Sequence, residues 1–173
     1  MCASYNRQYG TQYLAVMPTN LYGPGDNYDL ETSHVLPALI RKCHEAKLSG
    51  AKEVSLWGTG SPRREFLHSD DMAEACLFLM ELPDERFAQV AVPSPGLPLV
   101  NIGVGEDLTI LELTTLVKQV VGFEGRFGWD RSKPDGTPRK LLSVERLQAL
   151  GWRASIGLEG GIAATYRDYA REG

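Results

Sequence analysis

Apolar and polar positions follow two rhythms along this chain. Val35, Leu36, Leu39, Ile40 and Cys43 recur at the three-and-four spacing of a helix with one buried face. The spacing predicts a helix from a Ser33 cap to about Leu48, with Pro37 in the first turn, where its missing N–H costs little. "DMAEACLFLMEL" predicts a second helix, capped by Ser69 or Asp70 and ended by Pro83. Thr109 and Glu112 form a T-x-x-E capping box for a third, which stops at Gly122. Shorter patterns predict helices at 144–150 and 158–170, and "CASYNRQY" reads as a helix closed by Gly10 at the C′ position. Apolar runs or alternation predict strands at 13–17, 53–57, 64–68, 126–129 and in "LVNIG". The stretches 18–29, 83–98 and 130–140 read as loops, being rich in Gly, Pro, Asn and Asp or lacking any period. The resulting class is mixed α/β, with strands too short and irregularly connected for a complete doubly wound sheet.

Composition narrows the reading little. The 173 residues are 43% hydrophobic and 23% charged, which suits one domain with a real core. A net charge of −4 leaves no broad basic field for nucleic acid or an anionic membrane. Any phosphate binding must come from a local cluster. No apolar run approaches the ~18 residues that would cross a bilayer, and no signal-peptide pattern is present. Three cysteines and three histidines lack metal-ligand spacing, so no metal is expected, and the implied compartment is the cytoplasm.

Candidate chemistry lies in the loops after strands, at 18–29, 57–64 and 130–140. "WGTGSPRREFLH" places Arg63 and Arg64 together after a glycine turn and Trp57. With Lys133, Arg139 and Lys140 they form a basic set able to hold a diphosphate through charge-assisted hydrogen bonds, beside a stacking face. The competing reading is an ordinary solvated charged loop.

Five segments, taken in order, resemble the GDP-L-fucose synthase family of extended short-chain dehydrogenases/reductases: "MPTNLYGPGDN", "SHVLPALIRKCHEA", "LWGTGSPRREFLHSDDMA", "VNIGVGEDLTI" and "SKPDGTPRKLL". The last is specific, whereas "NLYGP" marks only the wider superfamily of nucleotide-sugar epimerases and dehydratases. The resemblance covers the chain to about residue 170. It implies the C-terminal part of such an enzyme, with 1–24 a remnant of the Rossmann domain and 25–173 the nucleotide-sugar-binding portion. It implies NADP(H) as cofactor of the full-length enzyme, a GDP-sugar substrate and a homodimer.

Carried over by motif, Pro18, Thr19, Asn20, Leu21 and His34 are cofactor-binding. Lys42, Trp57, Arg64, Asp135 and Lys140 bind substrate, Arg63 stands at a variable place, and His34 is the catalytic acid/base. The local alternatives are Asx turns at Asn20 and Asp26, a solvated helix face at Lys42, a plain turn at Asp135-Gly136 and a capping role for His34. Three family features are not in these residues. No G-x-x-G-x-x-G or G-x-G-x-x-G turn occurs, and none of the seven tyrosines has lysine four residues later. Nor do Cys2, Cys43 and Cys76 match the family's cysteine acid/base. The expectation is a chain that starts just after the catalytic helix residues and does not turn over by itself. Another NAD(P)-dependent epimerase/reductase of the superfamily, a non-catalytic nucleotide-sugar-binding module and a remnant without ligand stay open.

Overall fold

A computed structural model describes residues 1–93 and 96–172. In chain order the elements are α1 (Cys2–Tyr9), β1 (Ala15–Pro18), β2 (Asn20–Tyr22), α2 (Val35–Ser49), β3 (Glu53–Trp57), β4 (Arg63–Arg64), β5 (Phe66–His68) and α3 (Ser69–Met80). They continue with α4 (Asp84–Ala91), β6 (Leu99–Ile102), β7 (Leu108–Thr109), α5 (Ile110–Val121), β8 (Arg126–Asp130), β9 (Arg139–Lys140), α6 (Glu145–Ala149) and α7 (Leu158–Glu172). The strands form small sheets rather than one. β1 pairs with β6, β2 with β5 and β3 with β8, all parallel. β4 lies between antiparallel β7 and parallel β9.

The β2–β5 pair separates two cores. Successive side chains of a strand point to opposite faces. Tyr22 and Phe66 accordingly join the cluster built on Leu36, Ile40, Leu113 and Ile162 from α2, α5 and α7. Leu21 and Leu67 join the other, with Val100, Ile102, Leu147 and Trp152. Burial on both faces is the usual fate of parallel strands, and it explains why all three residues of β5 are buried.

Local signals act where they were strongest. Gly10 and Gly122 both take the left-handed conformation at helix C-termini. Both halves of the Thr109–Glu112 capping box are made.

Five details differ from the sequence reading. His34, not Ser33, caps α2, in an extended conformation and with no side-chain cap bond. Asp29 gathers Glu31 N–H, Thr32 N–H and the Thr32 hydroxyl on one oxygen, and its carbonyl takes Ser33 N–H, which moves the helix start on by one residue. At α3 the cap is His68, whose Nδ1 accepts Asp70 N–H at 3.2 Å, because β5 pairing runs through His68 and the helix starts at once. The loop read at 18–29 contains β2, a strand held by its partner β5 rather than by its own flanking prolines and glycines. The loop read at 83–98 contains α4, whose Val90 and Ala91 are buried and whose Phe87 packs on the second core; residues 94 and 95 of that stretch lie outside the described residues. Finally, the single strand read at 64–68 is two, β4 and β5, which change sheets at Glu65.

Candidate functional site

Residues 18–21 run from the end of β1 into β2 and line a cleft of about 460 Å³ together with His34 and Ser69. Thr19 N–H bonds the Ile102 carbonyl, which carries the chain from one sheet to the next. The Thr19 hydroxyl and the Asn20 amide both donate to the Glu65 carbonyl, at 3.2 and 2.7 Å. Asn20 therefore ties two strands together and makes no Asx turn. Asp26, also on the cleft wall, does bond its neighbour Asn27 N–H through one oxygen; its other oxygen is buried without a hydrogen-bond partner among the described residues. Gly23 passes so close to Ser69 that a Cβ there would meet its hydroxyl oxygen. His34 stands exposed at the start of α2, and its ring is free of a cap bond.

Tyr22 closes the inner wall of the cleft at 2% exposure and packs edge-on against His68, with ring centres 5.4 Å apart. Burial, helped by the Asp71 carboxylate, pushes its phenol up to about 12, so it stays neutral at any physiological pH.

The second group forms a rim built by β3, β4, β8 and β9. Trp57 ends β3 opposite Asp130 and is 70% exposed, with the Lys133 ammonium 5.6 Å from its ring centre. Next to it, Gly58 takes a left-handed φ of 79°, and a Cβ there would run into Asp135. Asp135 accepts the Thr59 N–H at 2.6 Å and the Thr59 hydroxyl at 2.8 Å; these two donors hold its carboxyl below the usual range.

The paired arginines part company here. Arg63 is committed: its Nε and Nη2 bond the carboxylate and carbonyl of Asp107, at 2.7 and 2.8 Å. Arg64 bonds only the Arg63 carbonyl among the described residues, at 2.8 Å through Nη1, which leaves most of its five donors free. Arg64 lies opposite Lys140 in the β4–β9 register, and Lys140 is exposed.

Of the residues expected to act together, Pro18, Thr19, Asn20, Leu21 and His34 line one cleft, and Trp57, Arg64, Asp135 and Lys140 share one rim. Lys42, half-buried on α2, has no hydrogen bond or ion pair to either group among the described residues. Two residues escaped sequence reasoning. Glu65, fully buried, accepts Gly105 N–H at 2.7 Å and Leu142 N–H at 3.1 Å. Asp107 holds both Arg63 and Arg139 with its side chain only 4% exposed. A carboxylate that follows a charged residue, as Glu65 follows Arg64 and Asp107 follows Glu106, carries no local mark of burial.

Parallel strand pairs with a polar cleft and a cationic rim near their carboxyl ends place this chain among the α/β proteins. The model of the NAD dependent epimerase/dehydratase family matches residues 1–92, more than half of the chain, and the chain belongs to that family. It is 54% identical over 170 residues to GDP-L-fucose synthase 1 of Arabidopsis thaliana, covering 98% of this chain and 49% of that protein. It is likewise 54% identical over 167 residues to GDP-L-fucose synthase of Escherichia coli (strain K12), covering 96% and 51%. The chain thus spans about half the length of the curated relatives it matches. A GDP-L-fucose synthetase from Naegleria fowleri, solved bound to NADP, superposes with a TM-score of 0.80 at 27% identity, over 98% of this chain and 50% of that one. The mixed α/β architecture is that of part of an extended short-chain dehydrogenase/reductase.

Proposed function

We propose that this chain is the substrate-binding part of a GDP-L-fucose synthase, which converts GDP-4-keto-6-deoxy-D-mannose to GDP-L-fucose by 3,5-epimerisation and NADPH-dependent 4-reduction. The observation that carries the reading is the cation pair Arg64 and Lys140, side by side in register and without a carboxylate partner among the described residues, on a rim that also presents Trp57. A diphosphate is the ligand such a pair suits, since both side chains donate charge-assisted bonds and the Arg fork matches its oxygens. Trp57 offers a face for the guanosine moiety. Asp135, pre-set by Thr59, offers a fixed acceptor beside it, and Lys42 adds a further cation from α2.

In this reading residues 1–24 belong to the dinucleotide-binding portion, 25–173 to the nucleotide-sugar portion, and the whole enzyme is a cytoplasmic homodimer. The cleft fits the nicotinamide end of NADP: it is lined by the Thr19, Asn20 and Ser69 polar groups, and the unpartnered Asp26 oxygen is an acceptor for a hydroxyl or amide. Pro18, Thr19, Asn20, Leu21 and His34 would hold that end. When bound, the cofactor supplies the hydride for C4. His34 supplies a proton acceptor and donor at the cleft mouth. The C4 ketone acidifies the hydrogens on C3 and C5, and the imidazole removes or returns one of these protons. The other partner in that exchange comes from outside these residues.

The test is calorimetric titration of the 173-residue chain with GDP. Binding is expected, and Arg64→Ala is expected to weaken it by about tenfold, the worth of about one hydrogen bond to a charged group. Equal heats for the wild type and Arg64→Ala would refute the assignment.

A further inference from the structure

The β4–β9 ribbon carries two like-charged cross-strand pairs. Arg63 lies opposite Arg139, and Arg64 opposite Lys140. Because side chains alternate along a strand, the two pairs point to opposite faces of the ribbon. Like charges directly opposite each other destabilise a strand pair. On one face that repulsion is cancelled: the Asp107 carboxylate takes Arg63 Nε on one oxygen and Arg139 Nε on the other. On the other face neither Arg64 nor Lys140 has a carboxylate among the described residues.

Little else holds this ribbon. Each strand is two residues long, well below the length at which strand pairing is stable by itself. The whole segment 131–140 is exposed. Besides the strand pairing, it is tied to β4 and the preceding turn by the Asp135–Thr59 contacts and the Arg63 N–H to Pro138 carbonyl bond, to the start of β7 by the Asp107–Arg139 ion pair, and, just past β9, by the Leu142 N–H to Glu65 bond. Asp107 immediately precedes β7, and its carbonyl also accepts Arg63 Nη2. One residue thus joins all three strands of the β7–β4–β9 sheet.

We infer that Asp107 is a positioning residue for diphosphate recognition: by clamping Arg63 and Arg139 on the inner face, it sets Arg64 and Lys140 in register on the outer face. The inference rests on the diphosphate reading of Arg64 and Lys140. Asp107 touches no ligand in it and acts only through the ribbon.

A double-mutant cycle read by GDP calorimetry tests it, with thermal unfolding midpoints recorded in parallel. In the wild-type background, Asp107→Asn is expected to weaken GDP binding by roughly fivefold to tenfold, and in the Arg64→Ala background by less than about threefold, because coupled residues are not additive. Asp107→Glu, which keeps the charge, is expected to recover most of the affinity. Wild-type GDP affinity in Asp107→Asn, or equal losses in both backgrounds, would overturn the inference while leaving a weakened Arg64→Ala, and hence the diphosphate reading, intact. Wild-type affinity in Arg64→Ala would instead sink the diphosphate reading and this inference with it. Should Asp107→Asn fail to fold, Arg139→Gln enters the same cycle. That change removes one arm of the clamp at an exposed position, with an expected loss of about threefold; unchanged affinity there overturns the inference.

Discussion

Glu65→Gln is the change whose outcome the structure dictates most directly. The Glu65 carboxylate is fully buried and has no cation partner among the described residues; it is held by two backbone N–H groups, Gly105 at 2.7 Å and Leu142 at 3.1 Å. An amide has one acceptor oxygen and one NH₂. Whichever way it turns, one of the two N–H donors faces another donor. Gly103 backs onto the carboxylate so closely that a Cβ there would come within 2.3 Å of Oε1, leaving no room on that side for a bridging water. The surviving bond falls from charge-assisted to neutral, a loss of about 1 kcal/mol, and a buried unsatisfied N–H costs about 1–3 kcal/mol more. The total, about 2–4 kcal/mol, is a large part of a typical domain's stability. In urea, where a slope near 2 kcal/mol/M is ordinary, the midpoint should fall by about 1–2 M. The thermal midpoint should fall by roughly 5–15 °C for a chain of this size. Tryptophan fluorescence and far-ultraviolet dichroism follow both transitions. A variant whose midpoint stays within about 0.3 M of wild type, or rises, would show that relief from burying the charge outweighs the lost bonds. The reasoning would then be refuted.

Two further outcomes concern the start of α5 and the buried Tyr22. Thr109→Ala removes a complete capping box from α5 and should cost about 1 kcal/mol at neutral pH in denaturant titrations. Backbone and hydroxyl bonds from Thr109 hold the Glu112 carboxyl below its usual range, so this stabilisation is present above the ordinary carboxylate pKa and fades as pH falls through the lowered one; the deficit of Thr109→Ala should shrink at acid pH. At the alkaline end, the Tyr22 phenol is pushed up to about 12 from an ordinary value near 10. The unfolded chain therefore loses that proton first, and stability should fall as pH rises from 10 through about 12. Burial also raises Tyr166 and Tyr169, so an absorbance titration should find late-ionising tyrosine, and Tyr22→Phe should remove one phenol from the late step together with its share of the alkaline loss.

The sequence by itself determined the elements whose signals lie within a few residues of each other. Gly10 and Gly122 end helices because left-handed backbone is cheap there, and Thr109 starts one because its hydroxyl reaches the N–H three residues on. The apolar stripe of α2 was legible from its spacing, and motifs alone grouped residues 18–21 with His34 and Trp57 with Arg64. What remained hidden was decided by partners far along the chain. β2 exists because β5 lies beside it, and α4 because Phe87, Val90 and Ala91 have a core to enter. His34 and His68 displaced the expected caps because neighbouring contacts shifted where each helix begins. Glu65 finds its donors 40 and 77 residues away, and Asp107 its arginines 44 and 32 away. The same distance effect separates the two arginines that the sequence sets side by side. A strand turns adjacent side chains to opposite faces, and only the folded chain brings a carboxylate to one face, which ties down Arg63 and leaves Arg64 without one among the described residues.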